Sequence, residues 1–327
     1  MHPIARAVVS LLAAAAFAGI TAGPAAAQDE APWTVATAAN DLGTDRDNYS
    51  YTAAAGERID DGLVITNHGT IPLELAVYGA DAFTTGAGQL DLLAKGKPPT
   101  GVGAWVHPNR DRVAVQPGQT TEVPFTVAIP VGAPSGDHVG GILTSMTQGD
   151  VERRVGIRIR VRVGGDLRPS LSVDTADLGY SGTANPFGAG DATLTYTIHN
   201  TGNAVLAARQ SASVTGPFGS WAVPAGAVPD SPQLLPGETW KVSVPVHGVT
   251  PAVYLAATVT LVPLLTDAAG STSPLPAADT TVHTWAVPWT LVVLLVALVA
   301  VVVGLLRRRR TKQREDEHLP ERDEVAV

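Results

Sequence analysis

The chain repeats one arrangement of strands and turns, and this constrains its fold more than any other feature. Leu63-Val-Ile-Thr leads into Asn67-His-Gly69, and much later Gln116-Pro-Gly118 feeds an alternating run from Val123 to Ile129. The plan then recurs. Leu194-Thr-Tyr-Thr-Ile-His leads into Asn200-Thr-Gly202, and Leu235-Pro-Gly237 feeds the run from Val242 to Val246. Period-two alternation marks half-buried strands, as in Leu73 to Tyr78. An Asn-x-Gly turn offers positive φ, and a Pro-Gly turn reverses the chain onto a facing sheet. One plan used twice predicts an all-β protein: two tandem immunoglobulin-like β-sandwich domains, divided at the linker Gly164-Gly165-Asp166-Leu-Arg-Pro169 into residues 28–165 and 166–285. The 33 Gly and 25 Pro, with only 16% charged residues, agree with many short strands and turns. Cysteine is absent, which removes disulfides, thiol catalysis, Cys-ligated zinc and iron–sulfur clusters, so each core must be held by packing alone.

The two ends have other roles. Arg6, the uncharged run Ala7 to Ile20 and the small residues before Gln28 form a secretory signal peptide over residues 1–27, too short and alanine-rich to span a bilayer comfortably. From Trp289 to Leu306 no residue is charged, and the preceding residues extend this stretch to a transmembrane helix over 286–306. Arg307 to Arg310, with Lys312 and Arg314, place the tail 307–327 on the cytoplasmic side by the positive-inside rule, and its mixed-charge second half is expected to be disordered. Trp285 and Trp289 sit where an outer aromatic belt would lie. Leu275-Pro276-Ala277-Ala278-Asp279 is a poor sortase signal, lacking Thr and Gly, so retention in the membrane is preferred. Of 22 basic and 30 acidic residues, one basic precedes Gln28, and seven basic and six acidic follow Leu306. The ectodomain therefore carries 14 and 24, a balance of −10, which makes it a poor binder of nucleic acid.

The first module resembles the N-terminal peptidoglycan-binding domain of the WxL-interacting protein family, also called the DUF916 domain. The residues that carry the likeness are Val115-Gln-Pro-Gly-Gln-Thr-Thr-Glu-Val-Pro-Phe-Thr-Val-Ala-Ile-Pro130, Pro134-Ser-Gly-Asp-His-Val-Gly-Gly-Ile142 and the apolar strand Val155 to Val163. The order of signal peptide, wall-binding domain, second β domain, span and basic tail is also similar. The resemblance implies a noncatalytic envelope protein that binds peptidoglycan or another wall glycan through its first module, and a partner protein through its second.

A glycan ligand needs exposed aromatic faces and fixed donors. Trp105, His107, Asn109 and Arg110, with Arg112 nearby, form the best local collection, although Trp105 can equally belong to the core. Asp137 and His138 beside Gly140-Gly141 form a second, where the glycines permit close approach or mark a bulge. Arg158, Arg160 and Arg162, preceded by Arg154, line one face of a strand and could grip anionic ligands, or pair across strands with carboxylates. Asp41, Asp45, Asp47 and Asn48 lack EF-hand spacing, and the histidines are scattered, so no metal or other cofactor is expected. No Gly-x-Ser-x-Gly, Ser-x-x-Lys, Walker or dinucleotide motif occurs, and no enzyme is expected. The expectation is thus a single-pass protein with its N-terminal ectodomain outside the cell membrane. The alternatives are an accessory subunit of an envelope complex that binds no glycan, and a wall-active hydrolase.

Overall fold

The computed structural model describes residues 31–183, 185, 188–266, 271–287 and 289–316. The expected signal peptide and residues 317–327 of the tail lie outside the described residues.

The first module contains β1 (Trp33–Thr37), β2 (Tyr49–Ala53), β3 (Arg58–Asn67), β4 (Leu73–Thr84), β5 (Leu90–Leu92), the one-turn helix α1 (Val102–Trp105), β6 (Val106–Pro108), β7 (Arg112–Val115), β8 (Thr120–Ala128), β9 (Gly136–Gln148) and β10 (Val151–Val163). One sheet has the order β1-β3-β8-β6, and the facing sheet has β2-β10-β9-β4-β5 with β7 also on β4. Alternation explains the packing: Val123, Phe125 and Val127 of β8 point inward towards Ile157, Ile159 and Val161 of β10, and all are buried in one cluster with Trp33, Tyr49 and Ile142. Each such side chain removed from water contributes about 1.5–3 kcal/mol. The polar atom that Trp33 brings inside is satisfied, since Nε1 donates to Thr144 Oγ1 at 2.7 Å.

The second module contains β11 (Leu171–Ser181), β12 (Gly190–Asn200), β13 (Leu206–Thr215), β14 (Ala222–Pro224), β15 (Thr239–Val249), β16 (Leu255–Thr266), β17 (Thr272–Pro274) and β18 (Ala278–Thr284). Its sheets are β11-β12-β15 and β14-β13-β16-β17, with β18 also on β16. A separate core forms from Leu194, Tyr196 and Ile198 of β12, Val244 and Val246 of β15, and Leu255, Val259 and Leu261 of β16. The Tyr196 hydroxyl donates to Gln210 Oε1 at 2.6 Å, and burial raises its pKa to about 12.

The repeated landmarks are the same device in both modules. Asn67 is buried, and its Nδ2 donates to the carbonyls of Ile71 and Val115, each at 2.9 Å. Asn200 is buried likewise, and its Nδ2 donates to the carbonyls of Ala204 and Leu234 at 2.8 and 2.9 Å. Each Asn Oδ1 accepts the N–H of the glycine two residues on, Gly69 or Gly202. The Pro-Gly turn closes each device, with the N–H of Gly118 or Gly237 donating to the Asn backbone carbonyl. This corrects one expectation. Positive φ occurs in the Pro-Gly turns, at Gly118 (69°) and Gly237 (81°), and not at Gly69 or Gly202. Gly202 is needed for space, because a Cβ there would stand 2.4 Å from the Arg168 carbonyl oxygen.

After β18, α2 runs from Trp289 to Asp316, and Trp289–Arg309 is long and apolar enough to cross a membrane. Its apolar side chains are exposed on all sides, so no protein surface covers them. The helix begins three residues later than expected, because Ala286 belongs to the core of the second module. It also continues ten residues past Leu306, where the expected tail begins, because Arg, Lys and Gln are good helix formers.

Replacing Asn200 with Ala strands two buried carbonyls and should cost about 2–4 kcal/mol of stability. The neighbouring Thr201→Ala should cost less than about 1 kcal/mol. Urea unfolding of the full chain in detergent checks the contrast.

Candidate functional site

The two modules meet around one carboxylate. Asp137 is the second residue of β9, directly across from Arg162 in β10, and its side chain is fully buried. Arg162 Nε and Nη2 donate to it at 2.7 and 2.9 Å, Arg160 Nη2 at 2.7 Å, and the Val205 N–H of the second module at 2.9 Å. Burial alone would raise its pKa, but the hydrogen bonds from Arg162, Arg160 and Val205 outweigh that and hold it below the usual carboxylate range. The backbone adds to this contact: Asp137 N–H donates to the Asn203 carbonyl at 2.7 Å, and Asn203 Nδ2 donates to the carbonyls of Ser135 and Asp166. Gly136 has φ 124°, and a Cβ there would lie 2.2 Å from the Asn203 carbonyl oxygen, so no other residue fits. Arg160 also donates to the Thr266 carbonyl across the junction. On the other side, Glu238 accepts from the N–H and hydroxyl of Thr84 and from the N–H of Leu235.

Between these fastenings lies a cleft of about 510 Å³, lined by Asp81, Phe83, Leu93, His138, Leu235 and Pro236 among others. Its polar groups are engaged internally. Asp81 accepts the N–H groups of Thr100, Gly101 and Gly103, and His138 Nε2 lies 2.9 Å from the Pro134 carbonyl. Ser135 Oγ donates to the Asp166 carbonyl rather than to His138, so the two are not arranged as nucleophile and base.

The structure separates the residues the sequence grouped. Trp105 is 6% exposed and packs in the first core, with its ring 4.8 Å from that of His138, so it is not a sugar platform. His107, Asn109 and Arg110 are exposed around β6, on the other sheet from His138. Asp137 is covered by its own partners and cannot reach a ligand. Arg160 and Arg162 serve the junction, Arg154 donates to the Leu92 carbonyl, and Arg158 is exposed. The junction's other members, Thr84, Asn203 and Glu238, carry no sequence signal that marks them out.

A second feature is an open strand edge. β10 pairs with β9 along its whole length, but with β2 only from Ile159 to Val163, so among the described residues no strand pairs with Arg154 to Arg158 on the outer side. Beside this edge a groove of about 540 Å³ runs between Val155, Gly156 and Ile157 and the outer edge of β1 at Thr34 to Thr37. Its rim includes Arg46, whose guanidinium is held by buried Asp61 at 2.7 Å.

No protein-family profile matches the sequence, and no curated protein matches it. Solved structures are similar to it in shape. The chaperone–tip adhesin complex of CFA/I fimbriae aligns over 77% of this chain and 98% of that one, at 10% identity and a TM-score of 0.39. The class 5 fimbriae chaperone CfaA aligns over 76% and 98%, at 11% and 0.38. A chain of the Salmonella enterica SafA pilin–SafB chaperone complex aligns over 77% and 96%, at 12% and 0.31.

Asp137→Asn keeps the shape but removes the charge that two arginines face, and should cost about 3–5 kcal/mol at neutral pH. The folded pKa of Asp137 is depressed, so its contribution is complete above the unfolded value near about 4 and is lost as pH falls through the folded value. Urea midpoints of wild type and variant, measured from about pH 7 down to about pH 2, should therefore converge at the acid end.

Proposed function

We propose that this chain is a noncatalytic, membrane-anchored accessory protein of a cell envelope whose ectodomain binds a partner protein by accepting an extended segment along β10. The observation that carries this reading is the edge from Arg154 to Arg158, which pairs with no described strand on its outer side and lies beside a groove. Unpaired N–H and C=O groups on an edge strand are a template for another strand, and natural sheets normally cover or blunt such edges. An added strand gains main-chain hydrogen bonds, while half-buried Val155 and buried Ile157 offer apolar contacts for alternate side chains. The charged rim and exposed Arg158 favour a defined register. The membrane-crossing length of α2 supports anchoring, and the arginines from Arg307 support a cytoplasmic C-terminus and an outward ectodomain.

Binding of peptidoglycan or another wall glycan by the first module, as the family resemblance implies, is the competing reading. Of the residues it invokes there, His107, Asn109, Arg110 and Arg158 are exposed. A photo-crosslinking residue placed at Arg158, and separately at His107, in the full chain within native envelopes discriminates the two. One discrete protein adduct at 158, absent at 107 and lost when Val155→Lys puts a charge on the edge, is the expected result. Co-sedimentation of the full chain with purified sacculi, abolished by replacing His107, Asn109 and Arg110 together with Ala and accompanied by no adduct at 158, would transfer the function to wall binding.

A further inference from the structure

The loops at the end of the second module nearest α2 contain no charged residue. The pairs Ser181↔Asp191, Thr215↔Ala256 and Leu255↔Thr284 place the ends of β11, β13 and β18 at that end, and the connection from β15 to β16 joins its two sheets there. Residues 182–183, 188–189, 216–221, 250–254 and 285–287 therefore gather at one end of the sandwich. None of them is Asp, Glu, Lys, Arg or His, although 16% of the chain is charged. A loop surface facing bulk water normally carries charge, so the composition itself needs a cause.

The exposed side chains there are large and apolar. Phe218 is fully exposed and sits at φ 55°, a conformation rare for a bulky residue, which holds it at a loop tip. Val253 is 57% exposed and Trp285 72%, and Tyr254 stacks on His283 with an edge contact to Trp285. The connection to the helix is short. Ala286 is still in the module's core and α2 begins at Trp289, so at most about 10 Å of chain separates them. The first helical turn, at Trp289 and Thr290, stands beside Tyr180, Thr183 and Pro251 across a recess of about 270 Å³. If α2 crosses a bilayer, these loops have no slack with which to leave the interfacial layer, which is several ångströms deep on each side of the hydrocarbon.

We propose that this end of the second module, led by Phe218, Val253 and Trp285, is a lipid-contacting surface that seats the ectodomain in the headgroup layer of the membrane crossed by α2. Aromatic rings are favoured at that depth, and isolated Phe and Val side chains gain by leaving water. With no charge in these loops, the contact requires no anionic lipid and withstands salt. It fixes the module's height and tilt above the bilayer, and with it the height of the open β10 edge.

The proposal rests on the anchoring reading, and the test separates the two. The chain has no cysteine, so Phe218→Cys, Val253→Cys and the distal control Val131→Cys, 86% exposed in the first module, each give a single spin-label site. The full chain is reconstituted into nanodiscs of phosphatidylcholine alone. At positions 218 and 253, accessibility to a water-soluble nickel chelate should be several-fold lower than at 131, with oxygen accessibility higher, and the pattern should persist in high salt. Chain that co-elutes with the discs yet shows chelate accessibility at 218 and 253 equal to that at 131 would overturn the lipid contact and leave the anchor standing. Chain that fails to co-elute would overturn the anchor, and this proposal with it.

Discussion

A carboxylate buried between two guanidinium groups and a backbone N–H is costly to desolvate, and Asp137 is tolerated only because Arg160, Arg162 and Val205 satisfy it together. Two of its donors come from β10 and one from the second module, so it can be satisfied in full only when the modules are docked. That condition shapes the rest of the ectodomain. The C-terminal half of β10 is committed to the junction and to β2, which leaves its N-terminal half as the open edge. The cleft is the space left between the Asp137 contact and the Thr84–Glu238 contact.

Much of the fold was legible in the sequence because it depends on local pattern. Alternation in Val123 to Ile129 and Val242 to Val246 marked strands whose inward residues are buried, and the paired Asn-x-Gly and Pro-Gly signals marked equivalent corners. The function of Asn67 and Asn200 was less visible, because the carbonyls they clamp, at Val115 and Leu234, are distant in sequence. Trp105 could be a platform or a core residue on sequence alone, and only the packing of α1 against His138 decides.

The candidate site was legible only in part, for a physical reason. Alternating arginines on β10 announced cross-strand carboxylate pairing as one option, and Asp137 was among the residues singled out, but no local pattern joined the two. Glu238, Asn203 and Thr84 act through contacts between modules, which periodicity within a module cannot report. The open edge is a property of strand lengths, since β2 is five residues and β10 thirteen, and it appears only once register is known. The docked modules, the short connection at Ala286 and α2 together form a continuous mechanical path from the β10 edge to the apolar helix.

If Asp137 makes the two sandwiches one body, the distance between them is fixed. Spin labels at Val131→Cys in the first module and Lys241→Cys in the second, both exposed, can be measured by pulsed dipolar spectroscopy in the full chain. A single narrow distance distribution that broadens when Asp137 is replaced by Ala is the expected result. A broad distribution already present with Asp137 intact, and unchanged by its removal, would contradict it.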